Sequence, residues 1–213
     1  MLFNVFCDSR TKECSISSFV ARYRLLWLIL IAVVFIAADQ GSKIWAQQTL
    51  AEKWESTEFK EKDGRMEPVQ VTRFMPVREI SVVANVFKLV YRENPAAAFS
   101  ITSSLPDWFR RPFLLLVSTL ATLFFIGWYY RLKEEDALLM TSFCLIIAGA
   151  IGNLIDRASM GYVIDFIEVY AGILGYPNLR WPTFNVADSC IVVGAIGIVI
   201  RTLRPKKKHN VEA

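Results

Sequence analysis

The chain has 213 residues, 54% of them hydrophobic, a mean hydropathy of +0.36 and a formal net charge of +4. A soluble domain of this size is less apolar and spreads its hydrophobic residues at helix or strand spacing, whereas here they come in blocks. The basic residues form no aromatic-interleaved surface, which argues against a nucleic-acid partner; the charge reads instead as an orientation signal.

Residues 1–22 are mixed and polar and read as a cytoplasmic extension. The apolar block 25–38 is short for a span and abuts Asp39; continued through Trp45 it crosses a hydrocarbon core of about 30 Å. A secretory signal peptide with Arg22 and Arg24 as its basic region is the lesser reading, because Asp39 follows directly and no A-x-A cleavage site appears. Residues 46–111 then form a long outer segment. Its first part, 52–67, is dense in charges of both signs and reads as solvated loop or short helix. Val69–Phe74 and Ile80–Tyr91 are rich in Val, Ile and Phe, with Pro76 between them, and read as two or more strands of a small outer sheet. Asn94-Pro95 ends the strand.

Residues 113–130 and 137–155 carry no charged side chain, and each is long enough to span. A second outer segment, 156–182, has a turn at Met160-Gly161, an apolar run from Tyr162 to Tyr170, and Tyr170, Tyr176 and Trp181 suited to an interfacial aromatic belt. The block 189–200 spans if it extends back past Asp188 toward Thr183. The fold class is therefore membrane α-helical, with four transmembrane helices and a small β-sheet and loop on the extracytoplasmic side.

Arg22 and Arg24 before the first helix, Arg131 and Lys133 between the middle pair, and the cluster Arg201, Arg204, Lys206, Lys207 and Lys208 after the last place both termini in the cytoplasm. Arg110 and Arg111 fall on the outer side, and the tail cluster outweighs them. Cys7 and Cys14 lie in the reducing compartment, and Cys144 and Cys190 lie within helices, so no disulfide framework is expected. With a single histidine, His209, and no C-x-x-C pair, neither a metal nor another cofactor is expected.

Polar groups recur at one depth. Asp39 lies 15 residues beyond Arg24, Asn153 lies 17 beyond Asp136, and Asp188 lies 13 before Arg201. At the helical rise these separations are about 20–25 Å from the cytoplasmic ends. Carboxylates within membrane helices are costly and are functional candidates by default. Asp39 has Lys43 at i+4, which favours a structural ion pair. Asp156 is adjacent to Arg157, again favouring a structural pair. Asp188 has no basic neighbour within reach in sequence, and Asn185 precedes it by three on the same face, so chemistry is preferred there. Asp165 sits among Val163, Ile164, Phe166 and Ile167, an apolar setting that favours a protonated carboxyl; an exposed strand aspartate is an equal reading. The small-residue run Ala148-Gly149-Ala150-Ile151-Gly152 reads as close helix packing, since it follows no strand and lacks a phosphate-loop lysine.

Five blocks, in order, resemble the lipoprotein signal peptidases (signal peptidase II). Asp39-Gln40-Gly41-Ser42-Lys43 matches that family's D-Q-x-S-K, and Asn94-Pro95-Ala96-Ala97-Ala98-Phe99-Ser100 resembles N-x-G-A-A-F-S. Gly149 to Arg157 matches G-A-x-G-N-x-x-D-R, Gly161 to Phe166 matches G-x-V-x-D-F, and Phe184 to Ser189 matches F-N-x-A-D-S. Three features depart from the pattern: Ala96 replaces a glycine, the charged stretch 52–79 is long, and the N-terminal extension is unusual.

The resemblance implies an aspartic endopeptidase that needs no metal, with Asp165 and Asp188 as its catalytic pair. Its substrate would be a prolipoprotein bearing a diacylglyceryl cysteine, cut on the amino side of that cysteine in the bacterial inner membrane near the outer face. Asn94 and Arg157 would hold substrate backbone; Asn153 and Asn185 would hydrogen-bond the pair or the peptide, and Asp39, Lys43 and Asp156 would support the site. Membrane lipid is the other partner, the chain is expected to act as a monomer, and the loop 96–110 is expected to serve as a lid. On this reading 1–22 is an extension, 23–204 the membrane peptidase domain and 205–213 a basic cytoplasmic tail. A proton-coupled transporter is the main alternative; it predicts carboxylates spread through the membrane depth or helices broken at mid-bilayer. A non-catalytic relative would lack one aspartate, and the G-x-G-D motif of presenilin-like proteases does not occur.

Overall fold

The computed structural model describes residues 23–62, 65–95, 106–132, 136–172 and 176–204. In chain order the elements are helix α1 (Arg24–Leu50), strands β1 (Ala51–Lys62), β2 (Arg65–Pro76), β3 (Ile80–Val83) and β4 (Phe87–Asn94), helices α2 (Asp107–Arg131) and α3 (Ala137–Ser159), strands β5 (Val163–Ala171) and β6 (Tyr176–Arg180), and helix α4 (Val186–Leu203). The expectations for 1–22, for Ala96 to Ser100 and the rest of the lid through 105, for Lys133, for the side chain of Tyr176 and for 205–213 lie outside the described residues.

All four helices are long and apolar enough to cross a membrane, with mean hydropathies of 1.8 to 2.1. The observed elements extend the apolar blocks of the sequence. Once a helix is nucleated, each added residue gains a hydrogen bond, so it runs on through Asp39 and Lys43 in α1, and α4 begins at Val186. Pro112 is the sixth residue of α2.

The chain forms two compact units. The first comprises residues up to Ala37, Leu116–Leu154 and Ala187 onward, and so contains segments of all four helices. Leu28, Ile31, Tyr129, Met140, Phe143, Cys144 and Ile147 make its core. In the most apolar stretch of α3, 56% of residues are buried, against 17–22% in the other helices, so α3 is the helix the others cover. Leu26, Leu30, Val33, Leu120, Leu123 and Val199 remain exposed; such surface is a liability in water and is suited to lipid. Polar ties close the bundle at one end. The Tyr129 hydroxyl donates to the Arg24 carbonyl at 2.8 Å, the Arg24 guanidinium donates to the Leu132 carbonyl at 2.9 Å, and Arg201 pairs with Asp136.

Glycines bring α3 and α4 together. A Cβ at Gly149 would lie 2.3 Å from the Ala187 carbonyl oxygen, and one at Gly194 would lie 2.5 Å from that of Ser142. The small-residue stretch therefore serves backbone approach between helices.

The second unit comprises Ala38–Leu115 and Ile155–Val186. Its four-stranded antiparallel sheet has the order β3-β4-β5-β6, over a core of Ala46, Leu50, Tyr91, Ile164 and Phe166. The sequence left open how many strands 69–91 holds, and the run 80–91 holds two: Asn85, at φ 60°, turns β3 back into β4. The segment 52–67 is also neither loop nor short helix. Residues 51–62 form β1 and pair with β2 in a separate two-stranded hairpin, through twelve matched positions from Ala51 opposite Pro76 to Lys62 opposite Arg65. Cross-strand polar contacts offset its low strand propensity. Gln70 donates to its direct partner Thr57 at 2.8 Å, and Arg73 pairs with Glu58.

Arg110 and Arg111, which ran against the charge rule for orientation, have local uses in this unit. Arg110 is 9% exposed and pairs with Asp107, while the Arg111 side chain lies 3.2 Å from where a Cβ on Gly161 would project. Gly161 has φ +80°, so the turn into β5 needs glycine for its backbone as well as for the space.

Candidate active site

The second unit holds Asp165 near the start of β5, 2% exposed. Two asparagine amides hold it. Asn94, at the end of β4, donates to Oδ2 at 2.9 Å, and Asn185 donates to Oδ1 at 2.8 Å. Asn94 reaches it because β4 pairs with β5 in a register that sets Asn94 opposite Val163 and Arg92 opposite Asp165. Asn185 reaches it because Phe184 is stitched to β5: the Phe184 amide donates to the Ile167 carbonyl at 3.0 Å, and its carbonyl accepts from Phe166 and Ile167 at 3.1 and 2.9 Å.

The peptide before Asp165 is clamped on both sides. The Ile164 amide donates to Asp156 Oδ2 at 3.2 Å, and the Ile164 carbonyl accepts from Asn185 at 3.2 Å. Asp156 is part of a buried charged triad. Lys43 Nζ lies 2.7 Å from Asp39 Oδ2 and 2.9 Å from Asp156 Oδ2, with all three side chains 1–2% exposed. Gln40 Nε2 donates to both carboxylates, at 3.1 Å to Asp39 and 2.9 Å to Asp156. The i,i+4 spacing revealed the Lys43–Asp39 pair, but not that the same ammonium bonds Asp156, whose expected neighbour was Arg157. Helix packing brings Asp156 to Lys43 across 113 residues. Arg157 sits half-buried in the last turn of α3, where its carbonyl accepts from the Gly161 amide at 3.1 Å.

A tyrosine cluster lies beside this triad. The Tyr91 hydroxyl donates to Glu93 at 3.1 Å and accepts from Gln47 at 3.4 Å. Burial pushes the Tyr162 phenol up to about 12, helped by the negative charge of Glu93, and pushes that of Tyr91 up further. Neither tyrosine was singled out in the sequence; their place on the strand and turn beside β5 was the available signal.

In the first unit, Asp188 lies in the first turn of α4, half-buried, where the helix dipole complements a carboxylate. Asn153 of α3 donates to its Oδ1 at 2.8 Å and is 6% exposed. The structure thus assigns an asparagine donor to each aspartate: Asn94 and Asn185 to Asp165, and Asn153 to Asp188. Among the described residues no group of three or more His, Cys, Asp or Glu side chains gathers as a metal-holding set.

A family model described as signal peptidase (SPase) II matches residues 31–204, nearly the whole described chain. The chain belongs to the signal peptidase II family. Its members include two similar relatives named lipoprotein signal peptidase. That of Syntrophotalea carbinolica is 37% identical over 193 residues, covering 90% of this chain and 98% of the relative. That of Anaeromyxobacter sp. (strain Fw109-5) is 36% identical over 182 residues, covering 81% and 82%. A solved bacterial membrane enzyme shares the fold with a TM-score of 0.62 at 24% identity, over 87% of this chain and 94% of that one. With four spanning helices, this signal peptidase II relative is a multi-pass protein of the bacterial inner membrane.

Proposed function

We infer that the protein removes signal peptides from diacylglyceryl-modified prolipoproteins, cutting on the amino side of the lipidated cysteine, with Asp165 and Asp188 as an aspartic catalytic pair. The family match over 31–204 supports the reaction. The asparagine amides that hold both aspartates support the assignment of the pair, because an aspartic mechanism needs each carboxyl fixed in orientation. The chain also links the two halves of the machinery: Asn185, which donates to Asp165, is three residues before Asp188.

The chemistry follows from two carboxyls that share one proton. The ionised member takes a proton from water as its oxygen attacks the scissile carbonyl. The protonated member donates a hydrogen bond to the developing oxyanion and then gives its proton to the leaving amine. Water is the nucleophile, so the reaction needs neither a serine or cysteine nucleophile nor a metal ion. Asn94 and Arg157 hold substrate backbone, and the buried Lys43 triad fixes the start of β5 and hence Asp165. The acyl chains stay in lipid, so a single chain suffices and it works as a monomer. The basic tail and Arg24 keep both termini in the cytoplasm, with the reaction near the outer face.

The test is cleavage of a diacylglyceryl-modified prolipoprotein by purified protein in detergent with a chelator present. Wild type cuts under these conditions, and Asp165→Asn and Asp188→Asn each lose at least about a hundredfold in kcat/KM while melting as folded proteins. Normal cleavage by Asp165→Asn would move the pair to Asp156. Loss of wild-type activity on chelation, restored by added metal, would overturn the metal-free mechanism.

A further inference from the structure

Among the residues around Asp165, Arg92 has no part in the machinery so far described. It is paired directly with Asp165 across β4 and β5. Directly paired residues of an antiparallel ladder send their side chains to one face, with Cβ atoms about 5 Å apart. The bond from Asn94, two residues further along the same strand, to Asp165 fixes which face this is. Among the described residues, buried charged groups of the second unit are engaged: Lys43 by two carboxylates, Asp156 by Lys43 and Gln40, and Glu168 by Tyr170 and Arg180. The Arg92 side chain is exposed and makes no hydrogen bond or ion pair with any described residue. An always-charged guanidinium thus stands open on the face that carries the reacting carboxyl.

We propose that Arg92 is a specificity-determining residue that reads the charge of prolipoprotein side chains within about two residues of the cleaved bond, the lipidated cysteine itself apart, favouring aspartate or glutamate and disfavouring lysine or arginine. This rests on the assignment of Asp165 to catalysis. A peptide positioned for attack at Asp165 must pass over this face in extended form, at about 3.3 Å per residue. The arginine side chain is long enough to meet substrate side chains within about two residues of the scissile bond. Opposite charge there attracts and like charge repels, which makes the discrimination a difference between two substrates.

The experiment is competition cleavage of lipidated prolipoprotein peptides that differ only by glutamate, glutamine or lysine at one of the two positions before the bond or at the position after the lipidated cysteine, which is itself kept. Wild type, Arg92→Gln and Arg92→Glu are compared, and the readout is the glutamate-to-lysine ratio of kcat/KM. At one or more positions wild type gives a ratio of about five or more, the scale of two exposed charge interactions of opposite sign. Arg92→Gln brings it to about one, Arg92→Glu inverts it, and raising the salt shrinks the wild-type ratio by screening. The ratio is internal to each variant, so a general loss of activity does not imitate the effect, and Arg92→Gln alone suffices if the charge reversal fails to fold. A ratio near one in wild type, or the same ratio in all three proteins, overturns the proposal. Failure of wild type to cut any of the peptides overturns the functional reading itself, which the other outcomes leave standing.

Discussion

Replacing Lys43 with methionine removes a buried ammonium and leaves its volume nearly filled. Lys43 Nζ sits 2.7 Å from Asp39 and 2.9 Å from Asp156, and the three side chains are 1–2% exposed. Without the cation two buried carboxylates are left uncompensated, with Gln40 the shared amide donor between them. Breaking a buried ion pair by removing one partner costs about 3–5 kcal/mol. For a chain of this size each kcal/mol lowers the melting temperature by about 2–4 °C, so Lys43→Met is expected to melt about 6–20 °C below wild type. The cost is electrostatic, so removing the stranded charges restores stability: the triple variant Asp39→Asn, Lys43→Met, Asp156→Asn recovers most of the loss. The assay is thermal unfolding in detergent, with prolipoprotein cleavage measured alongside. Because Asp156 also holds the Ile164 amide, the triple variant melts near wild type yet cuts more slowly. A Lys43→Met protein that melts within about 2 °C of wild type, or a triple variant no better than the single, would refute this account of the triad.

Asn185→Ala takes the donor from both Asp165 Oδ1 and the Ile164 carbonyl at a fully buried site; it is expected to cost about 1–3 kcal/mol in unfolding experiments and about a hundredfold in kcat through misplacement of the carboxyl. Gly149→Ala drives a methyl to 2.3 Å from the Ala187 carbonyl oxygen and is expected to destabilise by about 1–3 kcal/mol, while Gly41→Ala, with open space around it, leaves the melting temperature unchanged or raises it. The Tyr162 phenol is held protonated up to about 12 in the folded protein and ionises near its ordinary value of 10.0 when unfolded. Its contribution is therefore full below pH 10 and is lost as pH rises through 12; melting curves from pH 8 to 12 are expected to fall more steeply for wild type than for Tyr162→Phe. Closing the β1–β2 hairpin after the Ser56–Val71 pair with an Asn-Gly turn removes a stretch whose described side chains are mostly exposed, and is expected to leave the melting temperature within about 2 °C of wild type.

The four helices were legible because a bilayer demands long uncharged stretches and the chain displays them openly; the length needed to span also carries α1 through the polar Asp39-to-Lys43 turn, as expected, and on to Leu50. The Lys43–Asp39 pair was legible for a similar reason, since helical geometry alone fixes i and i+4. The hairpin β1–β2 was not. Residues 52–62 mix Glu and Lys and carry little strand propensity, and they form a strand because β2 pairs with them. The number of strands in 69–91 was left open, and the break falls at Asn85, a residue type that tolerates the left-handed turn. At the candidate site the sequence displayed the aspartates and asparagines but not their pairing. On the residues alone Asp165 stood at even odds, and the family resemblance ranked it above Asp156. Tertiary structure decided that Asn94, 71 residues away, and Asn185, 20 away, converge on Asp165, and that Asp156 spends its carboxylate on Lys43 and a backbone amide. Local periodicity and hydropathy are properties of neighbouring residues, so the sequence by itself determines spans and helical pairs. A hydrogen bond between distant strands depends on register and packing, which only the folded chain sets.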